Sequence, residues 1–220
     1  MRKDNILFTV IGLLVGLIIG FIGTNSINRN AMVSQNSAPT QPNLPTQNQP
    51  HQSAAVPEVN EAIAKADQEP NNFDAQIKVG EMFARINNYE KALIYFEKAE
   101  KIKPGDYQLW VILGNLNFQI ENFDKAAVWY EKALAKKNDD IAVRTDYGIT
   151  FMERSQPDYD RAIKEFQTSL TLNPNHQPTI YNMAVAYFKK GNLKEANDLK
   201  AKLKDNTDLT KKLEAVFASS

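Results

Sequence analysis

The side chains that could carry out covalent chemistry are few in this sequence and stand apart from one another. The chain has 220 residues and no cysteine, which excludes disulfides, thiol catalysis, thiolate zinc sites and covalent c-type haem attachment. His51 has no evident role, and His176 ends the turn Asn173–His176 without a repeated partner. No glycine-rich phosphate loop, nucleophile elbow or metal-ligand cluster is found. The sequence therefore predicts no catalytic residue, no metal site, no cofactor and no enzymatic activity.

The charged residues indicate solvated surfaces. The chain carries 26 basic and 26 acidic residues, a formal net charge of zero. Neighbours such as Glu97 with Lys98, and Glu131 with Lys132, are typical of water-facing helix surfaces. Since nucleic-acid binding needs a concentrated basic face, we expect no nucleic-acid partner.

The beginning of the chain predicts a membrane anchor. Residues 6–23 form an uncharged apolar run of 18 residues, and a helix of that length spans about 27 Å. The alternative is a cleaved signal peptide, but Thr24–Ser26 is a poor cleavage site. Arg2 and Lys3 favour a short cytoplasmic N-terminus, residues 1–5, and an exported, periplasmic C-terminal domain.

Two further features accompany this predicted anchor. Gly12, Gly16 and Gly20 lie four residues apart, a spacing that lets two membrane helices approach closely and form a homodimer. The alternative is that glycine is simply common in membrane helices. Residues 24–56 are rich in Asn, Gln, Ser and Pro and predict a disordered linker, because they cannot bury enough apolar area to become ordered.

The remainder of the chain repeats one pattern about every 34 residues. A helical trio of Ala92, Phe96 and Ala99 is followed by a break at Pro104. Equivalent trios are Ala126, Tyr130 and Ala133, and Ala162, Phe166 and Ser169. A small residue precedes each trio, at Gly80, Gly114 and Gly148, and again at Ala184. Each unit therefore predicts a helix, a short turn, a second helix and a break.

This pattern resembles the tetratricopeptide repeat family, whose first helix carries W-x-x-L-G, present here as Trp110–Gly114. The resemblance implies an all-α fold, a right-handed superhelix or α-solenoid of stacked helix-turn-helix units. It also implies that Phe96, Trp110, Tyr130 and Phe166 are core residues. The predicted domain, 57–220, comprises a helix at 57–70, repeats near 73–106, 107–140, 141–176 and 177–206, and a capping helix at 208–217.

Some positions depart from the family pattern. The third repeat has two extra residues around Ser155–Pro157, which should enlarge its turn. Arg144 replaces a bulky residue and Asn117 an aromatic one. Lys200 stands where Phe or Tyr is expected, and Leu203 stands where Ala is expected. The last two are typical of a terminal repeat that ends an array.

The resemblance also implies a concave groove, lined by the first helix of each repeat, that binds a peptide or a partner protein. Its predicted lining residues are Ile77, Glu81, Arg85, Val111, Asn115, Phe118, Gln119, Thr145, Ile149, Met152, Tyr181, Val185, Phe188 and Lys189. The alternative is that several of them pack against the capping helix or another protomer. We expect a largely hydrophobic peptide, because Ile77 and Glu81 stand where members that bind acidic C-termini have Lys and Asn.

Two functions fit this layout. The first is a membrane-tethered protein–protein interaction scaffold. The second is an assembly or chaperone factor of the cell envelope that holds an unfolded client segment. Membrane-anchored repeat proteins of c-type cytochrome biogenesis are similar to this chain in layout, with an anchor, a tether and a repeat groove.

Overall fold

A computed structural model of the chain describes residues 55–203 and 206–219, with side chains from Glu58 onwards. The described residues form ten α-helices and no strand, which confirms the all-α class. None of these ten helices combines the length and the apolar character needed to cross a bilayer. The predicted anchor, residues 6–23 with its three glycines, lies outside the described residues.

The first helix, α1 (Ala55–Gln68), belongs to a unit that ends at Glu69. It begins two residues inside the predicted linker, 24–56, whose remaining residues lie outside the described part of the chain. Pro57 is compatible with this start, because it stands in the first turn of α1, where a backbone N–H group has no acceptor within the helix.

The other nine described helices belong to a second unit that begins at Pro70. They are α2 (Phe73–Arg85), α3 (Tyr89–Ile102), α4 (Tyr107–Gln119), α5 (Phe123–Lys136), α6 (Ile141–Glu153), α7 (Tyr159–Leu172), α8 (Gln177–Lys189), α9 (Leu193–Lys202) and α10 (Thr207–Ala218). The helices pair as α2 with α3, α4 with α5, α6 with α7 and α8 with α9. Up to α8, the second helix of each pair also packs on the first helix of the next.

The first helices of three repeats begin at the same repeat position because a polar side chain caps each of them. Asn72 accepts a hydrogen bond from the Ala75 N–H at 3.1 Å. Asp106 and Asp140, each 34 residues further on, accept from the N–H three residues ahead at 3.0 and 3.1 Å. Such caps satisfy backbone donors that have no partner inside the helix. The capping residues thus recur with the same 34-residue period as the repeats.

The turns inside the repeats are closed by one recurring hydrogen bond. The Asn88 N–H donates to the Phe83 carbonyl at 3.0 Å, and equivalent bonds close the second and fourth repeats. In the third repeat the Asp158 N–H donates to the Phe151 carbonyl at 2.8 Å. The two extra residues therefore lie inside a longer turn that ends at the same bond, and the helix pair is preserved.

Glycine and an aromatic ring occur together where the two helices of a repeat cross. A Cβ atom on Gly114 would lie 2.5 Å from Tyr130 Cε1, and one on Gly148 would lie 2.5 Å from Phe166 Cε1. On Gly80 the nearest ring atoms of Phe96 would lie at 3.0 Å. All three rings are buried, as the sequence predicts, and they fill the space that the missing side chain leaves.

Two residues of the first helices differ from what the family pattern predicts, Trp110 in its burial and Arg144 in its residue type, and the structure accounts for both. Trp110, predicted to be a core residue, is only half-buried, and its indole N–H donates to Glu100 at 3.3 Å. Arg144 stands where the family has a bulky residue, and its guanidinium has hydrogen-bond partners. It donates to Glu165 and to the Asn138 carbonyl, both at 2.8 Å.

The C-terminal helix α10 packs against α8. The ring of Phe217 stacks on that of Phe188 with centroids 4.3 Å apart, and Leu213 is fully buried. Lys200, which stands where the other repeats have a ring, pairs instead with Glu214 of α10 at 2.8 Å. In the first three repeats the residue at this position fills the helix crossing. In the last repeat it joins α9 to the terminal helix α10.

Phe217→Ala is expected to lower the free energy of unfolding by about 1 kcal/mol, because it removes one ring of a stacked pair. Chemical denaturation of the two proteins measures the difference. Leu193→Ala is the control, because Leu193 is an exposed apolar residue on the neighbouring helix α9 and should change stability little. Equal losses in both variants would contradict a stabilising Phe188–Phe217 contact.

Candidate functional site

The predicted groove residues lie on the four first helices, α2, α4, α6 and α8. One repeat position is central to them and is occupied by Glu81, Asn115, Ile149 and Val185. We call these four residues the groove row. Because the first helices begin at equivalent positions, the members of this row lie at the same height along successive helices.

The structure divides the fourteen predicted residues into three classes by exposure. Arg85 and Lys189 are exposed. Eight are half-buried: Glu81, Phe118, Gln119, Ile149, Met152, Tyr181, Val185 and Phe188. Four are buried: Ile77, Val111, Asn115 and Thr145.

These four buried residues correct the sequence prediction, which placed them on an open surface. Thr145 shows the physical reason. The helices α6 and α8 are in contact, and the hydroxyl oxygens of Thr145 and Thr179 lie 2.6 Å apart within it. Thr145 therefore belongs to the packing between α6 and α8. Ile77 and Val111, at the same position in the first and second repeats, are also buried.

Two aromatic residues of the predicted lining pack within the fold. Phe188 stacks on Phe217 of α10, as the alternative of packing against the capping helix predicts. Phe118 makes an edge-to-face contact with Phe123 of α5 at 5.1 Å between centroids. Both rings remain half-buried, so each keeps a face that another molecule could contact.

Glu81, the first member of the groove row, is a poorly compensated carboxylate. Its Oε1 atom is buried and has no hydrogen-bond partner among the described residues. Burial raises the pKa of Glu81, and the nearby positive charge of Arg85 opposes that shift.

A polar cluster formed by residues of α4, α5 and α6 includes the next member of the row, Asn115. The Tyr130 hydroxyl donates to Asn115 Oδ1 at 2.7 Å, and both side chains are fully buried. Burial raises the pKa of the Tyr130 hydroxyl, and the negative charge of the Asp146 carboxylate raises it further. We call Asn115, Tyr130 and Asp146 the Asn115–Asp146 cluster.

Asp146 is the member of this cluster that the sequence analysis missed. Burial, and then the negative charge of Asp140, raise the pKa of Asp146 from 3.8 to about 7. The helical-face assignment selected Thr145 and Ile149 and did not include Asp146, which directly follows Thr145. The available signal was an acidic residue next to a position that packs in the core.

His176 has a structural setting. Its Nδ1 atom lies 2.7 Å from the Thr179 hydroxyl near the start of α8, and burial lowers its pKa. Within the described ranges, no three His, Asp or Glu side chains are grouped so that they could hold a metal ion.

The chain is similar to known protein families in sequence and to solved structures in fold. Two family models match the chain: a tetratricopeptide repeat over residues 53–107, and the middle TPR-like domain of cilia and flagella-associated protein 70 over residues 113–212. No curated protein sequence matches it significantly.

Solved structures share the fold at low sequence identity. YrrB, described as a TPR protein with an unusual peptide-binding site, is 21% identical with a TM-score of 0.63. The match covers 74% of this chain and 86% of YrrB. A MamA fragment from Desulfovibrio magneticus RS-1 is 18% identical with a TM-score of 0.62, over 70% of this chain and 85% of the fragment.

Proposed function

Because this chain is a tetratricopeptide repeat protein, we propose that it is a membrane-tethered scaffold that binds a peptide or a partner protein along the groove row. The observation that carries the proposal is the incomplete covering of large apolar side chains beside that row. Phe118, Met152 and Tyr181 lie half-buried on three successive first helices. A partner that buried their remaining apolar surface would gain about 25 cal/mol for each Å².

The shared fold supports this proposal, because YrrB is described as having a peptide-binding site. The scaffold proposal needs no catalytic residue.

The tether belongs to the proposal and rests on the sequence. Residues 6–23 are the proposed anchor, with a cytoplasmic N-terminus and the repeats on the periplasmic side. Gly12, Gly16 and Gly20 are its proposed homodimer contact. The polar residues that follow would keep the repeats at a distance from the bilayer.

A crosslinking pull-down with the full chain in its own membrane distinguishes the scaffold from the alternative. A scaffold is expected to recover stable folded partners. An envelope assembly or chaperone factor, such as one for c-type cytochrome biogenesis, is expected to bind unfolded peptides that carry a haem-attachment motif.

Phe118→Ala and Tyr181→Ala are each expected to weaken capture of the crosslinked partner about ten-fold, a typical loss for a central aromatic contact. Ile94→Ala and Val128→Ala are the matched controls, because these apolar residues are exposed on the second helices α3 and α5. Thermal melting of all four variants separates lost binding from lost stability. Equal capture by the groove variants and the controls would contradict the groove assignment.

A further inference from the structure

Among the described residues, Asp146 is an acidic group without a cationic partner. It makes no ion pair there, whereas other carboxylates of the second unit, such as Glu165 and Glu214, are paired. Its neighbour Arg144 is engaged by Glu165 and the Asn138 carbonyl. The charged group that acts on Asp146 is another carboxylate, Asp140. A half-buried carboxylate in this setting lacks the compensation that such groups normally have.

Asn115 supplies an independent sign of a missing partner in the same cluster. Its side chain is fully buried, and its carbonyl oxygen accepts from Tyr130. Its amide nitrogen Nδ2, however, has no hydrogen-bond partner among the residues that the structure describes. Leaving a buried donor unsatisfied costs about 1–3 kcal/mol. Within the described part of the chain, the cluster therefore holds an unused donor on Asn115, a member of the groove row, and an acidic group without an ion pair on Asp146 of the next first helix.

We propose that the Asn115–Asp146 cluster is a subsite for a lysine or arginine side chain of a peptide bound along the groove row, an inference that rests on the proposed function. The ammonium or guanidinium group donates to the Asp146 carboxylate. The Asn115 amide is fully buried in the free protein, and it becomes accessible to a backbone carbonyl of the same peptide when the peptide binds.

Charge complementarity selects this occupant. A cationic donor forms a short, charge-assisted hydrogen bond with a carboxylate, and such bonds are about twice as strong as neutral ones. A metal ion fits less well, because hard cations take six or more oxygen ligands and no group of three candidate side chains is present among the described residues. The sequence predicts a largely hydrophobic peptide. The proposed partner differs from it in having one basic residue opposite Asp146.

The test uses the full chain in mild detergent and four pools of nine-residue peptides. The pools share randomised uncharged positions and differ only at the centre, which is lysine, arginine, norleucine or glutamate. At pH 8 we expect the lysine and arginine pools to bind at least ten-fold more tightly than the norleucine pool. The preference should shrink at pH 5.5, because protonation of Asp146 removes its charge.

Asp146→Asn should abolish the preference for a basic centre, while Asp139→Asn should keep it. Asp139 is an exposed carboxylate just before α6, the helix that carries Asp146, and its substitution provides the same change in charge. If all pools bind equally, or if Asp146→Asn keeps the preference, the basic subsite is wrong and the peptide-binding function stands. If no pool binds, both the subsite and the proposed function are overturned.

Discussion

Gly148→Ala is expected to lower the free energy of unfolding by about 1–3 kcal/mol, the usual cost of overpacking a core. The new Cβ would lie 2.5 Å from Phe166 Cε1, well inside van der Waals contact. The ring is fully buried and cannot move into solvent to make room. This loss should exceed the gain of about 0.5–1 kcal/mol that alanine normally gives over glycine within a helix. Urea denaturation measures the net effect.

Three further variants separate packing from helix propensity. Gly80→Ala should cost less than Gly148→Ala, because its Cβ would meet the Phe96 ring at 3.0 Å. Phe166→Leu in the Gly148→Ala background should remove most of the penalty for the new methyl group, which a double-mutant cycle measures. Ala184→Gly should simply lose helix propensity, because the fourth repeat has no such ring. If Gly80→Ala and Gly148→Ala lowered the free energy of unfolding equally, contact with the ring at the helix crossing would not be the cause of the loss.

Asp146→Asn is expected to raise the free energy of unfolding at pH 8 and to flatten its dependence on pH. The pKa of Asp146 is raised from 3.8 to about 7 in the folded protein. Between these values the folded chain keeps a proton that the unfolded chain has released. The wild-type free energy of unfolding therefore falls as pH rises through this window, and this contribution levels off above about pH 7. The Asn variant stays neutral and lacks this decline.

The size of this effect is limited by solvent. Asp146 is half-buried, so we expect a gain on the order of 1–2 kcal/mol at pH 8, below what the full pKa change would give. Chemical denaturation at pH 4.5 and pH 8 measures it. Asp139→Asn is the control and should follow the wild-type slope, because Asp139 is exposed. If the free energy of unfolding changed with pH equally in the wild type and in Asp146→Asn, the raised pKa of Asp146 would be refuted.

Much of the fold follows from the sequence because its determinants are local and repeated. The caps Asn72, Asp106 and Asp140 and the spacing of the small residues are visible in the residues themselves. The glycine–aromatic pairs follow from the same period. Each of these features depends on the two helices of one repeat, which the pattern already defines.

The site could not be predicted as well, because it depends on how successive repeats meet. The burial of Thr145 arises from contact between α6 and α8, and that contact is set by the angle between repeats. The pKa of Asp146 depends on its burial in the folded chain and on the charge of Asp140, and the burial cannot be read from one repeat. The covering of Phe188 depends on α10, which follows the last repeat and has no earlier copy to compare with.

The pairing of glycine with a ring also limits how this array could lengthen by duplication. A copied block such as residues 107–140 would carry its own glycine and its own ring, Gly114 and Tyr130, and would bring a complete crossing with it. A copy of the last repeat would carry Ala184 with Lys200, a lysine whose partner, Glu214, lies on α10. New repeats are therefore expected to arise upstream of residue 177, with the last repeat and α10 inherited together as one terminal block.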